Sequence, residues 1–125
     1  MADLYGITGF YKDGAVTLNR FAGSFTRLDG GRIVGNLVDP YGGAEIKGWL
    51  RGDSLIFDKT YDGRQFAYQF TRGQNEVWVG DYRGVTSPMR GDAVCKIRVD
   101  WKNIQNIDPG AAIQQLIESA ALISS

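Results

Sequence analysis

The chain contains no histidine. That removes the usual proton shuttle at neutral pH, the commonest transition-metal ligand and the base of a Ser-His-Asp triad, so Ser24, Ser54 and Ser87 have no activating partner of that kind. Cys95 is the single cysteine, which excludes an intrachain disulfide and fits a reducing compartment. It falls on an apolar phase, where an inert core thiol is expected. Charge of one sign is also missing: 14 Lys and Arg balance 14 Asp and Glu, leaving no general positive field for nucleic acid or an anionic membrane. No run approaches the roughly 20 apolar residues of a transmembrane helix. The opening MADLYGITGF lacks a basic start, a long apolar run and a small-residue cleavage signal. The expectation is a cytoplasmic protein without nucleic-acid or membrane partners.

Two further absences bear on cofactors. Gly30-Gly31 and Gly42-Gly43 do not sit between a parallel strand and a helix, as a nucleotide-binding glycine motif would, and hairpin turns explain them. The aspartates at 13, 29, 39, 53, 58 and 62 are scattered, and the twelve-residue calcium loop is absent. Neither a metal nor a cofactor is expected.

What is present is apolar alternation cut by glycine and aspartate. A chain of 125 residues fits one domain. Residues 1–14 read as an irregular entry segment anchored by Leu4, Tyr5, Ile7, Phe10 and Tyr11. Strands follow at about 17–28, which counts as two if it bends near Gly23, then at 31–39, 44–51, 54–61, 65–71, 76–83 and 92–101. Most junctions are too short for crossover helices, so consecutive strands pair antiparallel. Period-two alternation puts Ile33 with Leu37, Ile46 with Leu50, Leu55 with Phe57, and Phe66 with Tyr68 and Phe70 on one interior; Ala93, Cys95, Ile97, Val99 and Trp101 continue it. Gly35, Gly48 and Gly80 inside strands relieve crowding where a sheet bends closed. Asp108-Pro109 then caps a helix over about 109–121 with Ile113, Leu116, Ile117 and Ala120 as its apolar stripe. The fold expected is all-β: one antiparallel up-and-down barrel of about 7–8 strands with a C-terminal helix packed over it.

The same phases give the candidate site. Lys59 and Tyr61 follow Leu55 and Phe57 on the inner face, and Asp81 shares a phase with Val77 and Val79, so Lys59 and Asp81 form a charged pair lining one end of the barrel. An enclosed pair of this kind needs mutual contact and further hydrogen bonds, and binds a polar ligand group if it has them to spare. Trp78 falls on the other phase with Glu76 and Tyr82, and Trp49 stands outside with Glu45 and Lys47. Two outward tryptophans suit self-association.

Three segments also resemble avidin-like members of the calycin group: Ile7-Thr8-Gly9-Phe10-Tyr11 resembles their first strand, Trp78-Val79-Gly80-Asp81-Tyr82 their W-x-G-x-Y strand, and Lys96-Ile97-Arg98-Val99-Asp100-Trp101 the strand after it. The resemblance implies an up-and-down barrel with Trp78 and Trp101 as aromatic ligand contacts. Biotin recognition is not carried over, because Phe66-Ala67-Tyr68-Gln69-Phe70 lacks the tryptophan of the family pattern. The functional expectation is a small-molecule-binding barrel using Lys59, Tyr61, Asp81, Trp78 and Trp101. The alternatives are a non-catalytic interaction module that forms a homo-oligomer, and an enzyme with an acid/base site at a barrel mouth.

Overall fold

Turn length dictates the topology. β4 (Gly42–Arg51) passes to β5 (Ser54–Tyr61), and β5 to β6 (Arg64–Arg72), through two residues each, and Gly52 and Gly63 take the positive φ, 56° and 76°, that such tight reversals require. The computed structural model describes residues 2–13, 17–99 and 107–124. In it β1 (Asp3–Asp13), β2 (Thr17–Arg27), β3 (Arg32–Asp39), β4, β5, β6, β7 (Trp78–Gly84) and β8 (Arg90–Arg98) pair antiparallel in chain order. β8 returns to β1, with Ile7 opposite Ile97, and closes an eight-stranded up-and-down barrel. Helix α1 (Pro109–Ser124) follows, its start bound by Asp108 Oδ2 accepting from the Ala111 N–H at 3.3 Å.

The inner face is the expected one for most of the chain. Ile33, Leu37, Ile46, Leu50, Leu55, Phe57, Phe66, Tyr68, Phe70, Ala93 and Cys95 are all buried in one cluster, with Ile97 packed against it. Closure depends on a repeated pairing of glycine with phenylalanine across strands: Gly9 opposite Phe21, Gly35 opposite Phe25, Gly48 opposite Phe57 and Gly80 opposite Phe70. A Cβ on Gly48 would lie 1.9 Å from the Ile56 carbonyl oxygen, and one on Gly80 1.8 Å from that of Gln69. The strands approach so closely there that only hydrogen fits, and the opposing ring fills the space the glycine leaves.

Four expectations are corrected. Residues 3–13 form β1, an 11-residue strand, where an irregular segment was expected. β2 runs through Gly23 as one strand and not two. Val99 is exposed, past the end of β8. The helix stripe is rotated: Ala112 is buried and Leu116 packs beside it, whereas Ile113 and Ile117 are exposed. The side chain of Ala120 and the whole of Trp101 lie outside the described residues. The surface α1 covers explains the rotation. It rests on an outer apolar patch of Phe10, Val77, Val94 and Ile107, edged by Leu18 and Val79, so β1, β7 and β8 each carry an apolar side chain on the outer face at or beside the place where α1 lies. Elsewhere the outward positions carry exposed charge, including Arg20, Arg32, Glu45, Lys47, Asp58 and Arg83. No helix among the described residues is long and apolar enough to cross a membrane.

Candidate functional site

Odd-numbered strands run from one mouth of the barrel to the other, and even-numbered strands run back, so each inward phase ends at a definite mouth. β3 ends inward on Asp39, β5 on Lys59 and Tyr61, and β1 on Tyr11, all at the same end. Lys59 is 1 % exposed, and its Nζ forms an ion pair with Asp39 Oδ2. The same carboxylate oxygen accepts hydrogen bonds from the Tyr61 hydroxyl and, at 3.2 Å, from that of Tyr11, while Oδ1 accepts from the Tyr41 backbone N–H at 2.8 Å. Lys59 Nζ also lies 3.5 Å from the Tyr68 hydroxyl, and rings of Tyr11, Tyr61, Tyr68 and Phe21 surround it at 4.6 to 5.8 Å. Burial lowers the Lys59 pKa, opposed by the hydrogen bond and charge of Asp39. Burial, reinforced by the Asp39 charge, pushes the Tyr11 phenol well above its ordinary value; burial also raises Tyr68, helped by Tyr82 and Asp39. The Tyr11 hydroxyl therefore stays protonated and donates to Asp39, and the Tyr68 hydroxyl stays protonated while accepting from Lys59 Nζ.

This cluster meets the conditions an enclosed charge needs, but with a partner other than the one expected. Asp81 is exposed on the outer face of β7, opposite Gln69 and Asp92, and does not approach Lys59. The phase of β7 is the reverse of the expected one: Trp78 and Tyr82 point inward and are buried, while Val79 faces α1. Trp78 is thereby removed from any outer interface. Trp49 remains outside as expected, 40 % exposed, with the Arg51 guanidinium 4.0 Å from its ring centroid. Asp39 and Tyr11 were missed. Asp39 counts only among the scattered aspartates of the sequence, although it ends the strand expected over 31–39 on the phase of Ile33 and Leu37, and that continuation is the available signal.

The space above the Lys59 cluster is small, about 110 Å3, and is lined by Tyr11, Tyr41, Tyr61, Arg64, Phe66, Tyr68, Tyr82 and Met89. Beside Tyr11 in register, Asn19 is buried with its Nδ2 unpartnered among the described residues. The opposite mouth is larger. Its opening measures about 400 Å3 and is floored by Tyr5, Leu50, Trp78 and Ile97, with Arg27, Arg72, Glu76 and Arg98 at its edge. Tyr5 is held by stacking on Phe25, with ring centroids 5.1 Å apart. Arg27 is oriented by its Nε donating to the Leu50 carbonyl at 3.0 Å, and Arg72 lies with its guanidinium 5.9 Å from the Trp78 ring centroid. Two backbone bonds fix the rim: Arg72 N–H to the Asp53 carbonyl at 2.9 Å and Gly73 N–H to the Val77 carbonyl at 2.7 Å. Glu76 is carried on a 3-10 turn in which it and Asn75 both have positive φ, 62° and 58°.

The expected ligand residues thus divide between the ends: Lys59 and Tyr61 at one, Trp78 at the other, Asp81 at neither. Among the described residues no group of three or more Cys, Asp or Glu is placed to hold a metal ion. Cys95 is fully buried, and burial pushes its thiol pKa well up. No family model, no curated protein and no solved structure matches this chain.

Proposed function

We propose that the protein is a small-molecule-binding barrel whose ligand enters at the Trp78 mouth. The observation that carries this reading is the opening of about 400 Å3 floored by Trp78, Tyr5, Leu50 and Ile97. An eight-stranded barrel has an interior just wide enough for its own side chains, so room for a ligand has to lie at a mouth. Here aromatic and aliphatic side chains occupy the middle, and the Lys59–Asp39 cluster closes the far end. An aromatic and aliphatic floor beneath polar groups on the rim can seat the apolar part of a small molecule at an open mouth. The avidin-like resemblance supports the same end, since it names Trp78 as an aromatic ligand contact. It adds Trp101, which stands two positions beyond the rim residue Val99. In this reading Lys59 and Tyr61 hold the closed end in shape, and Asp81 has no part in the site. The test is native mass spectrometry of the protein purified from its natural source, with gentle denaturation to identify what is released. A reproducible species in fixed stoichiometry, retained less by Trp78→Phe than by the unaltered protein, is the expected result.

A second reading, a homo-oligomeric interaction module, is favoured by one feature of the outer face. Trp49 and Ile56 are cross-strand neighbours, 40 % and 43 % exposed, so an apolar pair stands on the outer face next to Lys47 and Asp58. Sedimentation of the protein and of Trp49→Ser distinguishes the readings: a concentration-dependent oligomer lost in the variant supports the module.

A further inference from the structure

The rim of the Trp78 mouth carries information about ligand charge. Arg27 and Arg72 are the last residues of β2 and β6 on the phases of Phe21 and Phe25, and of Phe66, Tyr68 and Phe70, so both stand at the barrel's inner edge directly beyond the aromatic floor. Strand ends on that phase elsewhere carry apolar or neutral side chains at this mouth: Tyr5, Leu50, Trp78 and Ile97. Neither guanidinium is consumed by the fold. Arg27 uses only its Nε, on the Leu50 carbonyl, and no carboxylate among the described residues lies within ion-pair distance of it. Arg72 has one distant ionic neighbour, Asp53 at 3.9 Å, and both side chains are largely in water, where such a pair contributes little.

We propose that this mouth selects an organic anion: a single anionic head on Arg27 and Arg72, and a flat apolar body on Trp78, Tyr5, Leu50 and Ile97. The inference rests on the Trp78 mouth being the ligand site and adds the charge class. A planar guanidinium matches the geometry of a carboxylate, sulfonate or phosphate head, and its hydrogen bonds to such a head are charge-assisted. Glu76, the one carboxylate among the lining residues, bears on the same head from the 3-10 turn. Its repulsion weakens anion binding, so removing its charge tightens it.

The test uses two fluorescent probes with the same aromatic skeleton, anilinonaphthalene sulfonate and the uncharged phenylnaphthylamine, titrated into the full-length protein. The sulfonate should bind with one-to-one stoichiometry and about tenfold or more tighter than the neutral probe, the factor expected of a hydrogen bond to a charged group. Arg72→Gln, at a side chain 54 % exposed and therefore least able to disturb the fold, should lose most of that preference, as should Arg27→Gln. Glu76→Gln should increase it, and none of the three should alter the affinity for the neutral probe. Equal binding of both probes, or a sulfonate preference untouched by either arginine variant, overturns the anion assignment while leaving the mouth as a site. Failure of both probes to bind, or binding insensitive to Trp78→Phe, overturns the mouth reading itself and the anion assignment with it.

Discussion

Replacing Asp39 with Asn leaves Lys59 buried with no counter-charge, and the cost can be worked from its surroundings. The ammonium is 1 % exposed and is ringed by Tyr11, Tyr61, Tyr68 and Phe21. No second carboxylate among the described residues pairs with it. The variant lysine escapes by losing its proton. Doing so at pH 7, against an ordinary value of 10.5, costs about 5 kcal/mol at ~1.36 kcal/mol per unit. Breaking one partner of a buried pair typically costs about 3–5 kcal/mol, so the two routes agree. With total stabilities of about 5–15 kcal/mol, Asp39→Asn should be marginal at neutral pH.

The pH dependence carries the sign. Folded Asp39→Asn holds one proton fewer than its unfolded chain until the pH reaches 10.5, so its stability rises with pH by up to about 1.4 kcal/mol per unit. Urea unfolding at pH 7 and pH 9 should therefore show the deficit shrinking at the higher pH. The double variant Asp39→Asn with Lys59→Met removes the stranded charge and should recover most of the loss at both pH values. A deficit below about 1 kcal/mol, or one equal at both pH values, refutes the claim that a charged Lys59 depends on Asp39.

Three other outcomes are expected. Gly80→Ala should destabilise by about 1–3 kcal/mol or more, because its Cβ meets the Gln69 carbonyl at 1.8 Å, whereas Gly43→Ala, which meets nothing, should be nearly silent in thermal unfolding. Tyr11 and Tyr68 have raised pKa values, so the folded protein holds protons that the unfolded chain releases above pH 10. Stability conferred by these two phenols is full below that value and falls as pH rises through it; phenolate absorbance should show both ionising only with unfolding. Ala112→Asp buries a carboxylate against Val77, Val94 and Phe10 and should cost about 2 kcal/mol or more, measured by denaturant midpoint, while Ile113→Asp on the exposed side should cost little.

Where a strand has one wet and one dry face, alternation placed both its ends and its phase, as in β3 to β6. It failed where α1 covers the outside. Around β7, Val79 and the preceding Val77 look like the inward set because they are apolar, but they are apolar to receive Phe10, Ile107 and Ala112. That error sent Asp81 inward and Trp78 outward together. In β1 the inward set of Tyr5, Ile7, Gly9 and Tyr11 is interrupted by Phe10, which faces the helix, and the period is lost. Alternation puts Lys59 and Tyr61 on the inner face, but the partner they require is one of the scattered aspartates, at the end of β3. No local pattern announces that Asp39, 20 residues away, ends its strand level with Lys59; only the barrel register brings them together.

The measurement that bears most directly on ligand entry at the Trp78 mouth is the set of tryptophan indole N–H resonances on titration with anilinonaphthalene sulfonate. The chain has three tryptophans, and the exposed Trp49 serves as an internal control. Saturable movement of the Trp78 resonance, with Arg27 and Arg72 side-chain signals and with Trp49 unmoved, is the predicted result. Shifts confined to Trp49, or to amides around Tyr41, Arg64 and Met89 at the opposite mouth, would contradict it.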